Sequence, residues 1–182
     1  MTAETYPTSA DVVTPSTRSA RSLQLRVVMS TQNTSSATND WRDRIVDSAA
    51  GIRRILDSTQ RIAVLGIKEG SDRPAFFVPE YAQRAGYDIV PVPIYYPDAT
   101  EMLGAPVYRT VSAIPGDIDM VNVFRRPQDI PAHVDDIIAK HPKSVWFQSG
   151  IVNDEAAEQF ARAGIDVVQN RCLMVELSRI GK

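Results

Sequence analysis

A short loop with two basic residues, spanning positions 66–74, has the composition of a phosphate-binding site. The apolar run Ile62–Leu65 before it predicts a buried parallel strand, and Pro74 is a favoured first residue of a helix. At such a loop, free backbone N–H groups and the positive end of the helix dipole attract anions, and Lys68 and Arg73 add full charges. Because neither a Walker sequence nor a complete G-x-G-x-x-G is present, a plain turn stays open as the alternative.

The residues after the next predicted strand, Tyr87–Val92, bear on the kind of nucleotide that would bind. A dinucleotide-binding Rossmann unit places an acidic residue there to hold the adenosine ribose, but this chain has Pro93-Ile94-Tyr95-Tyr96. The missing carboxylate argues against NAD or FAD. A wall of proline, valine and tyrosine is suited to packing an adenine, and without an acid it tolerates a phosphate on the ribose. A rigid proline-rich turn is the alternative interpretation.

Two adjacent arginines follow the third predicted strand, Asp119–Phe124. Arg125 and Arg126 therefore stand at the carboxyl end of a parallel strand, which is where open α/β sheets bind their ligands. Their position in the predicted sheet, more than their charge, makes them candidate ligand contacts.

The remaining pattern alternates helices with strands and predicts a Rossmann-like, doubly wound parallel five-stranded sheet in a single domain over residues 40–182. An amphipathic helix is predicted from Trp41 to Leu56, followed by a helix that Pro79 kinks or ends early. A hairpin-like turn at Leu103–Pro106 and a small helix near Val111 come next. The later elements are predicted helices at 128–140 and 154–163, a short final helix ending at residue 179, and strands at 144–148 and 165–168.

Composition excludes several classes of partner and location. The formal net charge of −2, with acids and bases interspersed, argues against nucleic-acid binding, and no apolar run is long enough to span a membrane. The single cysteine, Cys172, cannot form an internal disulfide, so we expect a reducing, cytoplasmic setting. Residues 1–39 are rich in serine and threonine and are predicted to be a disordered tail, with Met29 as an alternative translation start.

Three further segments complete a family resemblance. They are residues 119–126 (DMVNVFRR), 146–153 (WFQSGIVN) and 170–173 (NRCL), and the Gly66 loop with Arg73-Pro74 accompanies them. With these motifs the chain, from Trp41 to Lys182, resembles the stand-alone CoA-binding proteins. These are bacterial single-domain relatives of the CoA-binding domain in the succinyl-CoA synthetase α subunit.

The resemblance implies CoA or acyl-CoA as the ligand. Its diphosphate would lie over Gly66–Arg73, its adenosine near Val92 and Pro93, and its pantetheine beside the arginine pair and the 148–153 loop. The implied binding residues are Gly66, Ile67, Lys68, Ser71, Arg73, Val92, Pro93, Phe124, Arg125, Arg126, Gln148, Gly150, Asn153 and Arg171. Two positions depart from the family pattern: Lys68, where a small residue is common, and Pro93-Ile94, where Asn-Pro is common. A lysine there either strengthens or obstructs the phosphate contact.

The sequence favours a non-catalytic or accessory binder of a small-molecule ligand. His133 and His141, the only histidines, lie outside any catalytic motif, and no nucleophile elbow or metal-ligand spacing occurs. Cys172 is predicted to be a packed small residue, with a thiol near bound CoA as the alternative. Two other functions stay open: an NAD(P)-dependent oxidoreductase, and an interaction module that has lost its ligand. A homodimer or another protein partner also stays open.

Overall fold

A computed structural model describes residues 40–182 of the chain. The predictions made for residues 1–39, disorder and an alternative start at Met29, lie outside the described residues.

A five-stranded parallel sheet forms the centre of the described region, as predicted. Its strand order is β2-β1-β5-β6-β7, and a separate two-stranded antiparallel hairpin is formed by β3 and β4. The chain crosses from one side of the sheet to the other after β2, so two neighbouring strands, β1 and β5, come from distant parts of the sequence. The strands are β1 (Arg61–Leu65), β2 (Asp88–Val92), β3 (Glu101–Met102), β4 (Ala105–Pro106), β5 (Met120–Val123), β6 (Ser144–Phe147) and β7 (Asp166–Val168).

Helices cover both faces of the sheet, which confirms the doubly wound architecture. One apolar cluster joins the strands to α3 and α4, and the other joins them to α1, α2 and α5. Buried strands with apolar residues on both faces are what a parallel sheet between two helical layers requires. The helices are α1 (Ala49–Ser58), α2 (Pro74–Arg84), α3 (Val134–Lys140), α4 (Asp154–Arg162) and α5 (Leu173–Arg179), with 3-10 helices at Trp41–Arg44 and Pro127–His133.

The predicted helix from Trp41 to Leu56 is wrong in its first half. A 3-10 helix capped by Asp40 ends at Arg44, Ile45 then pairs with Val167 as an isolated parallel bridge, and α1 begins only after Ser48. The apolar residues at 45 and 46 had a helical spacing, but they pack at the edge of the sheet, where Ile45 is partly buried and Val46 is buried. Helical spacing alone does not distinguish these two ways of burying an apolar side chain.

Two other local predictions differ from the structure. The segment at 128–140 is a 3-10 helix followed by α3, and Pro131, which lacks an N–H group, lies within the 3-10 part. Residues near Val111 form turns and bends instead of a helix. None of the helices within residues 40–182 has the length and apolar character needed to cross a membrane.

Asp119 links neighbouring chain segments at the amino edge of the sheet. Its Oδ2 accepts hydrogen bonds from the backbone N–H groups of Gln60 and Arg61 at 3.0 and 2.9 Å, and its Oδ1 lies 2.7 Å from Lys143 Nζ. Burial raises the pKa of this carboxyl, but the bonds from Lys143 and the two backbone groups outweigh it, so the pKa is lowered overall.

We expect Asp119→Asn to lower the free energy of unfolding by about 1–2 kcal/mol at pH 7. A lowered folded-state pKa stabilises the protein above the unfolded value of about 3.9, and this stabilisation is lost as the pH falls through the folded value. Urea unfolding should therefore show that the free energy of unfolding differs less between wild type and variant at pH 3 than at pH 7. A gap of equal size at both pH values would contradict the electrostatic explanation.

Candidate functional site

A cleft of about 400 Å³ opens at the carboxyl edge of the sheet, beside the ends of β1 and β5. Ligands of open α/β sheets bind at this edge, where neighbouring strands connect in opposite directions. The lining contains four basic side chains and no acidic one. The lining residues are Lys68, Arg73, Pro74, Ala75, Phe124, Arg125, Arg126, Pro127, Gly150 and Ile151.

Gly66 lets the chain leave β1 between two neighbouring strands. Its N–H donates to the carbonyl of Val92 at 2.8 Å, and its φ of +84° lies in the left-handed region. A Cβ at this position would lie 2.5 Å from the carbonyl oxygen of Phe124, closer than van der Waals contact permits. The loop therefore needs glycine both for its backbone angle and for the approach of the next strand.

A proline inside α2, Pro79, leaves a backbone carbonyl free to bond the basic loop. The helix continues past Pro79 to Arg84, so the early end that the sequence allowed as one alternative does not occur. Because Pro79 has no N–H, the carbonyl four residues earlier, that of Ala75, lacks its helical donor. The N–H of Lys68 donates to this carbonyl at 3.2 Å and so ties the loop to the first turn of α2. Arg73, at the N-cap position, makes no side-chain capping bond.

On the opposite wall of the cleft, Arg125 and Arg126 both bond to one carboxylate, that of Asp129. Asp129 accepts from Arg126 Nε at 2.8 Å and from Arg125 Nη2 at 3.2 Å. The hydrogen bond from Arg126, with the charges of both arginines, lowers the pKa of Asp129 despite burial. Arg125 is only 12% exposed, and its Nε has no hydrogen-bond partner among residues 40–182. This Nε atom is itself buried, so one donor of the Arg125 guanidinium is left unpaired inside the described protein.

Tyr95 stands between the two basic walls. Its ring centroid lies 5.3 Å from Lys68 Nζ and 5.8 Å from Arg125 Cζ, both within cation–π range. A hydrogen bond from Arg125, at 3.5 Å, and the charges of Arg125, Arg126 and Lys68 lower the pKa of the Tyr95 hydroxyl. The side chain is 57% exposed although it is large and aromatic.

A cationic cleft of this kind at the carboxyl edge of a Rossmann-like sheet agrees with the comparisons to known proteins. The CoA binding domain family matches residues 60–178 of this chain. The chain belongs to the CoA binding domain family. The resemblance found in the sequence motifs is thereby confirmed.

Proteins similar to this chain are found in several organisms. An uncharacterized protein, YneT of Bacillus subtilis strain 168, is 36% identical over 128 residues, which cover 70% of this chain and 93% of that protein. The structure of cell-free ID.343 from Thermus thermophilus superposes with a TM-score of 0.70 at 34% identity, covering 74% of this chain and 99% of that one. A hypothetical protein from Pyrococcus horikoshii OT3 superposes with a TM-score of 0.68 at 36% identity, covering 73% and 92%.

Six of the predicted binding residues line the cleft together: Lys68, Arg73, Phe124, Arg125, Arg126 and Gly150. Gly66 and Ile67 are buried beneath the loop, and Ser71 is exposed on it. Val92 and Pro93 are buried at the end of β2. Whether each residue contacts a ligand stays a prediction.

Three other predicted binding residues are engaged in bonds within the protein. Gln148 Nε2 donates to Asn122 Oδ1 at 2.7 Å, and its Oε1 accepts from the backbone of Leu173. Asn153 caps α4, and its Nδ2 donates to the Pro127 carbonyl at 2.8 Å. Arg171 Nη2 donates to the carbonyl of Asp47 at 2.8 Å, and its Nη1 lies 3.4 Å from Glu176 Oε1. These contacts assign them at least a positioning role.

Sequence reasoning did not identify Asp129, which organises the arginine wall. Its spacing of three and four residues from Arg126 and Arg125 is the spacing of helical ion pairs, so this partner was visible in principle. Within residues 40–182, no group of three or more histidine, cysteine, aspartate or glutamate side chains is placed to hold a metal ion.

Proposed function

We propose that this chain is a non-catalytic or accessory binder of CoA or acyl-CoA, with the ligand in the cationic cleft of the 40–182 domain. One observation supports the proposal most strongly: four basic side chains line the cleft that also contains the N-terminus of α2, and its lining contains no acid. A diphosphate is the group that such a site favours, because loop N–H groups, the helix dipole and side-chain cations all attract it.

The remaining surfaces suit the rest of the ligand. In this proposal the adenosine lies toward the end of β2, where Tyr95 offers an exposed aromatic face. The pantetheine arm lies along Phe124 and Ile151, the apolar lining residues on the other side of the cleft. An uncharged arm needs contact with apolar surface and few directed hydrogen bonds, which this wall provides.

The ligand test is calorimetry and thermal unfolding of the full chain with CoA, acetyl-CoA, NAD, NADP and ATP. We expect CoA or acetyl-CoA to give a binding heat and to raise the unfolding midpoint. At ten times the Kd, a ligand that binds only the folded state stabilises it by about 1.4 kcal/mol.

The other outcomes discriminate between the alternatives. Binding of NAD or NADP in preference to CoA would favour the oxidoreductase, although residues 93–97, just beyond β2, carry no acid for the ribose hydroxyls. Absence of a binding heat with every ligand at millimolar concentration would reject the proposal. The remaining alternative would then be a protein-interaction module that has lost its ligand.

A further inference from the structure

Lys68 and Tyr95 lie in the loops that follow two neighbouring strands, β1 and β2. Leu65 pairs with Val92 at the ends of β1 and β2, and the N–H of Gly66 extends this pairing to the carbonyl of Val92. Lys68 stands three residues beyond Leu65, and Tyr95 stands three residues beyond Val92. Beyond the paired strand ends, the Lys68 ammonium group lies 5.3 Å from the centroid of the Tyr95 ring. The lysine of the phosphate loop is therefore held toward the end of β2.

The segment that carries Tyr95 is itself fixed. The hydroxyl of Tyr96 accepts a hydrogen bond from the backbone of Glu69 in the phosphate loop at 3.3 Å. From behind, Arg109 donates to the carbonyls of Tyr96 and Pro97 at 2.8 and 2.7 Å. These hydrogen bonds hold the backbone next to Tyr95 in place. The Tyr95 ring, although 57% exposed, is therefore kept beside the Lys68 ammonium group.

Within the described part of the chain, Lys68 forms no salt bridge with a carboxylate, whereas Arg125 and Arg126 share Asp129. Its charge is consequently available to a ligand. The end of β2 is where a Rossmann-like site holds the adenosine ribose, and a cation there suits a phosphorylated ribose where an acid suits free hydroxyls.

We propose that Lys68, oriented by Tyr95, recognises a phosphate on the adenosine ribose and makes this chain select CoA over 3′-dephospho-CoA. The inference rests on the proposed CoA function and adds a specificity determinant to it. The diphosphate and pantetheine are identical in the two ligands, so only contacts to the ribose phosphate can separate their affinities. Arg73, at the helix N-terminus, serves the shared diphosphate.

The experiment compares calorimetric Kd values of CoA and 3′-dephospho-CoA for the full chain and its variants. Wild type should bind CoA about tenfold or more tightly, as expected for a charge-assisted phosphate contact. Lys68→Met, which keeps the chain length of the side chain, should bring the ratio close to one. Tyr95→Leu should lower the ratio partly, and Tyr95→Phe should retain it because the ring remains.

Two matched variants separate this effect from general charge. Lys143→Met removes a lysine at the opposite, amino edge of the sheet and should leave the ratio at its wild-type value. Arg73→Ala should weaken both ligands and preserve the ratio. Circular dichroism of each variant checks that it is folded.

The outcomes are distinct for the two proposals. A wild-type ratio near one, or a ratio unchanged in Lys68→Met, would overturn the role of Lys68 while leaving CoA binding in place. If neither CoA nor its dephospho form binds the wild type, the proposed function fails and this inference fails with it.

Discussion

Replacing Gly66 by alanine is expected to lower the free energy of unfolding by about 3 kcal/mol or more, from two separate causes. The φ of +84° disfavours any residue with a Cβ, and that Cβ would meet the Phe124 carbonyl oxygen at 2.5 Å. This oxygen belongs to backbone that is paired with β1, since the N–H of Phe124 donates to Leu65 at 2.9 Å. The clash therefore cannot be relieved by rotating a side chain.

Gly86→Ala is the matched control for Gly66→Ala. Gly86 has a similar φ of +95°, but a Cβ there would have no atom within 4 Å. Its substitution should cost only the backbone strain, about 1–2 kcal/mol. Urea unfolding of the two variants then isolates the cost of the close approach. Equal losses would show that the Phe124 contact relaxes readily and that only the backbone angle requires glycine.

Arg73→Ala is expected to weaken CoA binding by about 1–3 kcal/mol, which corresponds to roughly 5- to 150-fold in Kd. The guanidinium lines the cleft at the N-terminus of α2 and makes no side-chain capping bond. Its removal should therefore act on the ligand and change the free energy of unfolding by less than about 0.5 kcal/mol. Calorimetry of CoA binding and urea unfolding measure the two quantities.

Arg84→Ala controls for the loss of an arginine from the same helix. Arg84 lies at the other end of α2, is 67% exposed and pairs with Glu80 at 3.2 Å. We expect its Kd for CoA to equal that of the wild type. If Arg73→Ala binds as tightly as Arg84→Ala, the diphosphate does not lie at the α2 N-terminus.

The local sequence carried most of the information about the elements and the edge of the sheet that forms the site. The apolar run at Ile62–Leu65 and the helix-starting Pro74 depend on neighbouring residues only, and both elements form as predicted. Arg125 and Arg126 follow the strand predicted at Asp119–Phe124. Residues that follow a parallel strand lie at the carboxyl edge of the sheet, so their position at the cleft could be predicted from chain direction alone. Motifs in three separate segments were sufficient for the family.

Contacts between separate elements could be identified only from the tertiary structure. Helical spacing predicted a helix at Ile45, where pairing with Val167 occurs instead. Pro79 predicted a kink or an early end of α2, but the helix continues and the Lys68 N–H donates to the carbonyl that Pro79 leaves unpaired. The approach of Lys68 to Tyr95 joins the loops that follow β1 and β2, and these strands are neighbours only in the folded sheet. Each of these contacts joins residues that are remote in sequence or in different elements. Local periodicity specifies which elements form, whereas strand order and register decide which side chains meet.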